Sequence, residues 1–115
     1  MRIELQGLNV ELTDELREQV TQRFKRVGEQ VSDLATLEVK LAEERNPSIT
    51  DKYVVDATLH LKGVTLRAHE ATPEMVHSVH EAAEDIRRQV KRHRDKRRMR
   101  HQTRRMMARL RGNTA

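Results

Sequence analysis

The chain contains no cysteine and no tryptophan, and Phe24 and Tyr53 are its only aromatic residues. Without cysteine there is no disulfide framework, no thiolate nucleophile and no thiolate metal ligand. The scarcity of aromatics removes the stacking platforms on which readers of single-stranded nucleic acid hold bases. No apolar run approaches the roughly 20 residues needed to span a bilayer, and Met1 leads straight into an alternating pattern instead of a signal peptide. The four glycines are scattered, so there is no glycine-rich loop to cradle a phosphate. The expectation is a soluble, unexported protein of the reducing cytoplasm.

What is abundant is positive charge, and it is unevenly placed. Of 23 lysines and arginines, 13 lie between Arg87 and Arg111, where Asp95 is the single acid, so that segment carries a net +12. Residues 1–85 hold 10 bases against 17 acids, a net of −7. A mildly acidic body with a dense basic arm suits a protein that meets a polyanion at one end, nucleic acid being the first candidate. At 115 residues there is room for one domain and an appendage. The apolar residues concentrate before Val90, so the body holds nearly all of the core.

Hydrophobic periodicity divides the body into elements. Ile3 and Leu5 alternate with Arg2, Glu4 and Gln6, a short strand ended by Gly7. Thr13 offers an N-cap, and Asp14 and Glu15 sit where the helix dipole favours acids. Leu16, Val20, Phe24, Val27 and Val31 make an apolar stripe, with Gly28 as a left-handed stop that places Val31 beyond the helix. Period two returns at Leu37, Val39 and Leu41, and the Asn46-Pro47-Ser48 segment is a loop within 45–52. Tyr53, Val55, Ala57, Leu59 and Leu61 point inward on a third strand, and Val64, Leu66 and Ala68 on a fourth. A turn centred on Lys62 and Gly63 sets Leu61 opposite Val64, Leu59 opposite Leu66, and Asp56 opposite His69. Thr72 and Pro73 begin the last helix, whose stripe is Val76, Val79, Ala83, Ile86 and Val90. Continuing that face puts Arg94 and Arg97 at core positions, so any further helix must overhang the body. The expected fold is α+β, ordered β-α-β-β-β-α: a four-stranded sheet with two helices packed on one face and a basic C-terminal helical extension. The first two strands are parallel if they are neighbours.

The candidate site is basic. Arg87, Arg88, Lys91, Arg92, Arg94, Lys96, Arg97, Arg98 and Arg100 surround the last helix, and such density repels itself without counterions or a polyanion. Arginine predominates, which suits forked contact with phosphate. Arg23, Lys25 and Arg26 form a second cluster late in the first helix, where cations are also favoured locally by the dipole. Two helices on one sheet face could present both clusters to one surface. Met99, Met106 and Leu110, with Met107 nearby, would share a helix face opposite the stripe ending at Val90. His77 and His80 with Glu81 and Glu84 have a spacing compatible with metal ligation, but it arises readily on a charged helix face. Asp56 and His69 lack an accompanying serine or cysteine nucleophile. No catalytic set, metal or cofactor is expected.

The opening MRIELQGLNVELTDE, the segment VVDATLHLKGVTLRAHEATPEM from Val54 to Met75, and the basic continuation RRQVKRHRDKRR from Arg87 to Arg98 resemble the ribosome hibernation-promoting factor and ribosome-associated inhibitor family. The resemblance is a dispersed pattern over residues 1–98, and implies a ribosome-binding domain there with residues 99–115 as a basic tail. It also implies binding to 16S rRNA in the small-subunit decoding region, in the head/body cleft at the A and P sites. Translation would be blocked, under stress or in stationary phase, by occupying the space of mRNA and tRNA. The family's rRNA contacts carry over to Arg23, Lys25 and Arg26 and to Arg87, Arg88, Lys91, Arg92 and Arg94, with Lys96, Arg97 and Arg98 continuing the arm. Val76 stands where the family commonly has an aromatic residue. Long-form members continue into a dimerising domain that this chain lacks, and RRMRHQTRR resembles the start of their linker. The expectation is a short form or the N-terminal domain of a long form. The rival readings are a general double-stranded RNA or DNA binding module and a small enzyme using His69 and Asp56.

Overall fold

The computed structural model describes the backbone of residues 1–112 and the side chains of residues 1–110. The N-terminal alternation forms strand β1, Arg2–Leu8, which runs through Gly7 instead of ending there. The reversal belongs to Asn9, at φ 59°. Gly7 serves a different purpose: a Cβ there would lie 2.6 Å from the Val10 carbonyl oxygen, so the missing side chain lets the chain fold back on itself. Helix α1, Asp14–Arg23, starts as expected, the Thr13 hydroxyl accepting from the Leu16 N–H at 3.1 Å.

The first helical stripe is divided in two. Phe24, at φ −92° and ψ 2°, separates α1 from α2, Lys25–Gln30. Because the break is one residue wide, Val20, Phe24 and Val27 still share a buried face. Gly28 is not the stop: it lies inside α2 beside the Met1 side chain, and the helix ends at an extended Val31.

Strands β2 (Thr36–Glu43), β3 (Tyr53–Leu61) and β4 (Val64–Thr72) complete one sheet in the order β1-β2-β3-β4. β1 and β2 are parallel, with Ile3 opposite Leu37 and Leu5 opposite Val39, and the other pairs are antiparallel. Leu61 faces Val64, Leu59 faces Leu66 and Asp56 faces His69. Within the turn Gly63 has φ +81° while Lys62 stays at negative φ. This is the sign pattern of a type II turn, which gives the lysine a position where positive φ is not needed.

Helix α3, Met75–Gly112, is 38 residues long, or about 57 Å at 1.5 Å per residue. It packs on β3 and β4 and against α1 and α2. Val79, Ala82, Ala83, Ile86 and Val90 are buried, but the expected stripe member Val76 is 38% exposed. At 100° per residue Val76 lies about 80° from the middle of the buried arc, which widens instead toward Met75, Ser78 and Ala82.

Ser78 is the one fully buried polar side chain among the described residues. Its hydroxyl donates to the Tyr53 carbonyl at 2.7 Å and meets the Thr72 hydroxyl at 2.7 Å, tying the start of α3 to β3 and β4. Ser78→Ala leaves that carbonyl without its partner and is expected to cost about 1–3 kcal/mol in denaturant unfolding. A loss below ~0.5 kcal/mol would show the tie to be dispensable.

The core is a single cluster enclosed by the sheet and the helices, and it ends at Val90. From Lys96 to Leu110 every side chain is exposed, so the last helix does overhang. The radius of gyration is 18.7 Å, against about 13 Å for a compact chain of this length. No helix among the described residues is long and apolar enough to cross a membrane.

Candidate nucleic-acid interface

The sheet has one face covered by helices and one face open, and the two sides differ in charge. On the open face the charges are mixed and answer one another: Arg2 lies 3.4 Å from Glu4, His60 lies 3.6 Å from Glu38, and His69 contacts Asp56. On the helical side α1 and α2 lie against α3, and Arg23 Nη1 comes within 3.4 Å of His80 Nδ1. The end of the first basic cluster therefore meets the last helix directly. Arg23, Lys25 and Arg26 are all exposed.

Helical geometry extends this cluster into a band. Arg87, Lys91, Arg94 and Arg98 follow His80 on the same flank of α3, the flank turned toward α1. Arg88 and Arg92 point to the solvent side, while Lys96 and Arg97 occupy the flank toward the β3–β4 turn. The eleven expected basic residues thus do not form one flat patch. Arg23 joins the flank of Arg87, Lys91, Arg94 and Arg98, Lys25 lies instead beside Met1, Ile3 and Glu29, and the rest of α3 continues as a cationic rod.

The first turns of α3 are compensated by acids and the rest are not. Glu84 lies 3.3 Å from Arg87, and Glu81 lies 3.9 Å from His77. Among the described residues no ion pair involves a base of α3 beyond Arg87. The Arg94 Nε is buried without a hydrogen-bond partner. A cleft of about 720 Å³ runs along the overhang, lined by Arg94, Arg97, Arg98, Arg100, Arg104 and Arg105 with His101 and Gln102. It belongs to one helix alone and has no opposing wall from the body.

The other constellations resolve into local contacts. His77 pairs with Glu81 and His80 turns to Arg23, and among the described residues no three acidic, histidine or cysteine side chains are grouped to hold a metal ion. Met99, Met106 and Leu110 are 67%, 64% and 60% exposed on the overhang. Lys62 was legible only as a turn residue, yet the hairpin carries it to the side of α3, next to Lys96, Arg97 and Arg100. No local sequence signal marks that meeting, because it depends on how the hairpin packs against a helix more than thirty residues later.

Comparison with known proteins follows the same architecture. The family model described as sigma 54 modulation protein / S30EA ribosomal protein matches residues 3–98. A ribosome hibernation promoting factor of Salmonella typhimurium is 31% identical over 96 residues, covering 84% of this chain and 96% of that relative. A ribosome hibernation promotion factor of a Picosynechococcus strain is 26% identical over 97 residues, and the chain spans about half (50%) of that relative's length. Among solved structures, the N-terminal domain of Thermus thermophilus Protein Y superposes with a TM-score of 0.70 at 25% identity, covering 80% of this chain and 98% of that one. A ribosomal subunit interface protein of Coxiella burnetii shares the fold with a TM-score of 0.69 at 20% identity, covering 83% of this chain and 99% of that one.

Proposed function

The chain belongs to the sigma 54 modulation protein / S30EA ribosomal protein family, and we propose that it is a ribosome hibernation factor that binds the small subunit through 16S rRNA and shuts off decoding. The observation that carries this reading is the cationic flank running from Arg23 across to Lys91, Arg94 and Arg98, none of which has an ion pair among the described residues, on a body whose opposite face mixes both signs. Residues 1–98 act as the ribosome-binding domain, and the rest of α3 extends its cationic surface as an appendage. Phosphate contacts from arginine and lysine supply affinity and fix orientation. The folded body then occupies the head/body cleft at the A and P sites and excludes mRNA and tRNA. Inhibition is by occupancy and needs no reaction, cofactor or metal. Ribosomes are cytoplasmic in a bacterial cell, and so is the factor.

Competition tests the reading. Excess duplex RNA should leave the protein on small subunits, whereas mRNA with tRNA filling the decoding sites should exclude it. Displacement by duplex RNA at concentrations comparable to the ribosome's would instead identify a general duplex binder. Simultaneous occupancy with tRNA would remove the proposed block.

A further inference from the structure

We infer that the β3–β4 turn and the adjoining flank of α3 form a clamp for a single backbone phosphate of structured RNA, a contact separate from the band facing α1. The inference rests on the ribosome-binding reading for its partner and on independent geometry for its chemistry. Lys62 and Gly63 of the turn and His93, Lys96, Arg97 and Arg100 of the helix line a cleft of about 350 Å³. No acid lines it. Clefts elsewhere on the body mix signs, combining Glu4 and Glu38 with Lys40, Glu43 and Glu44 with Lys52, or Glu29 with Lys25.

Two features suit a phosphate. Arginine offers a planar fork of donors that matches phosphate oxygens, and lysine adds a point charge from the opposite wall. At Gly63 nothing lies within 4 Å of where a Cβ would be, so the turn's backbone is open to close approach by a ligand. His93 is only partly exposed and sits just past Val90, where packing ends, so the cleft is anchored to the folded body even though Lys96, Arg97 and Arg100 lie on the overhang.

The clamp lies on the flank of α3 opposite Arg87, Lys91, Arg94 and Arg98. RNA held at both flanks crosses the helix near residues 93–100 instead of running only along it. A contact of this kind fixes register, which the mobile charges of a uniform rod do not.

The test uses the full chain and three variants: Lys62→Gln, Arg100→Gln and their combination, with Lys40→Gln on the open sheet face as an equal change of net charge. Binding to small subunits is measured across a salt series. Lys62→Gln should weaken binding about 5- to 8-fold at 0.1 M salt and lower the log–log salt slope by ~0.7–0.9, the effect of losing one phosphate contact. The double variant should lose less than the product of the single losses, because both bases serve one phosphate. Equal losses for Lys62→Gln and Lys40→Gln, or full multiplicativity, would overturn the clamp while leaving ribosome binding standing. Amide spectra provide the second readout: the Gly63 amide should shift on adding a duplex RNA. If that shift occurs and the wild type ignores ribosomes, the clamp survives and the ribosomal site does not. Saturation of Gly63 by pyrophosphate at equal or lower concentration would assign the cleft to a free anion and overturn its assignment to RNA.

Discussion

Replacing Arg88, Lys91, Arg92 and Lys96 together with glutamine is expected to lower affinity for the small ribosomal subunit by on the order of 1,000-fold at 0.1 M salt. All four side chains are exposed, none has an acidic partner among the described residues, and none contributes to the core. Glutamine is nearly as good a helix former as lysine or arginine, so α3 should keep its helicity. The magnitude follows from counterion release, in which each lost phosphate contact removes roughly 0.7–0.9 from the slope of log affinity against log salt. Four contacts then remove about 3 from that slope. The unmodified protein, neutralising about 6–10 phosphates, should lose about 1,000- to 100,000-fold in affinity between 50 and 200 mM salt. A quadruple variant that binds within tenfold of the parent, with unchanged circular dichroism, would show that the arm is a passive solubilising helix.

Phe24→Ala should give the largest loss of stability of any single truncation, about 3–5 kcal/mol. Phe24 is fully buried, and among the fully buried residues it is the largest. It also stands at the junction of α1 and α2, flanked by Arg23, Lys25 and Arg26. Its ring thus fixes where the first basic cluster emerges beside α3. A domain of this size has only about 5–15 kcal/mol of stability in total, so the loss is a large fraction of it. Thermal unfolding should show a drop of at least ~12 °C. A drop below ~4 °C would mean that the core collapses around the vacancy and that the ring does not organise the junction. At a temperature where the variant remains folded, ribosome binding should weaken far less than in the quadruple arm variant, which separates loss of fold from loss of charge.

The features read correctly from the amino-acid sequence were those set by local chemistry. Alternation identified all four strands, and the spacing of Lys62-Gly63 set the hairpin register through Leu59 and Leu66. Thr13 marked the first helix start because capping acts within one turn, whereas Thr72 ends β4 with its hydroxyl accepting from the Glu74 N–H, and the last helix begins at Met75, past Pro73. The errors occurred where a distant contact chose between local options. Gly7 and Gly28 fit the local pattern of stops, but the first accommodates Val10 and the second lies beside Met1. Val76 fits the 3.6-residue period as well as Met75 does, and only the placement of α3 on β3 and β4 decides between them. Ser78 carries no sequence mark of burial, since its role is set by the Tyr53 carbonyl across the core.

The candidate interface divided along the same line. Charge density alone identified the arm, because a net +12 with one acid cannot be balanced within its own segment. The meeting of Arg23 with α3 required the packing of two helices. The convergence of Lys62 with Arg97 and Arg100 required the hairpin as well. The resemblance drawn from residues 1–98 and the family model's match to residues 3–98 describe the same segment. Beyond it, α3 continues without interruption to Gly112, although burial ends at Val90.

A density map of this protein bound to the small ribosomal subunit decides whether the body blocks the decoding sites. Density is expected for the body in the head/body cleft at the A and P sites, with Arg23, Lys25, Arg26 and the flank from Arg87 to Arg98 against 16S rRNA phosphates. The open sheet face should turn away from RNA. Density for the protein at the periphery of the subunit, or with the open sheet face against the RNA, would contradict that placement.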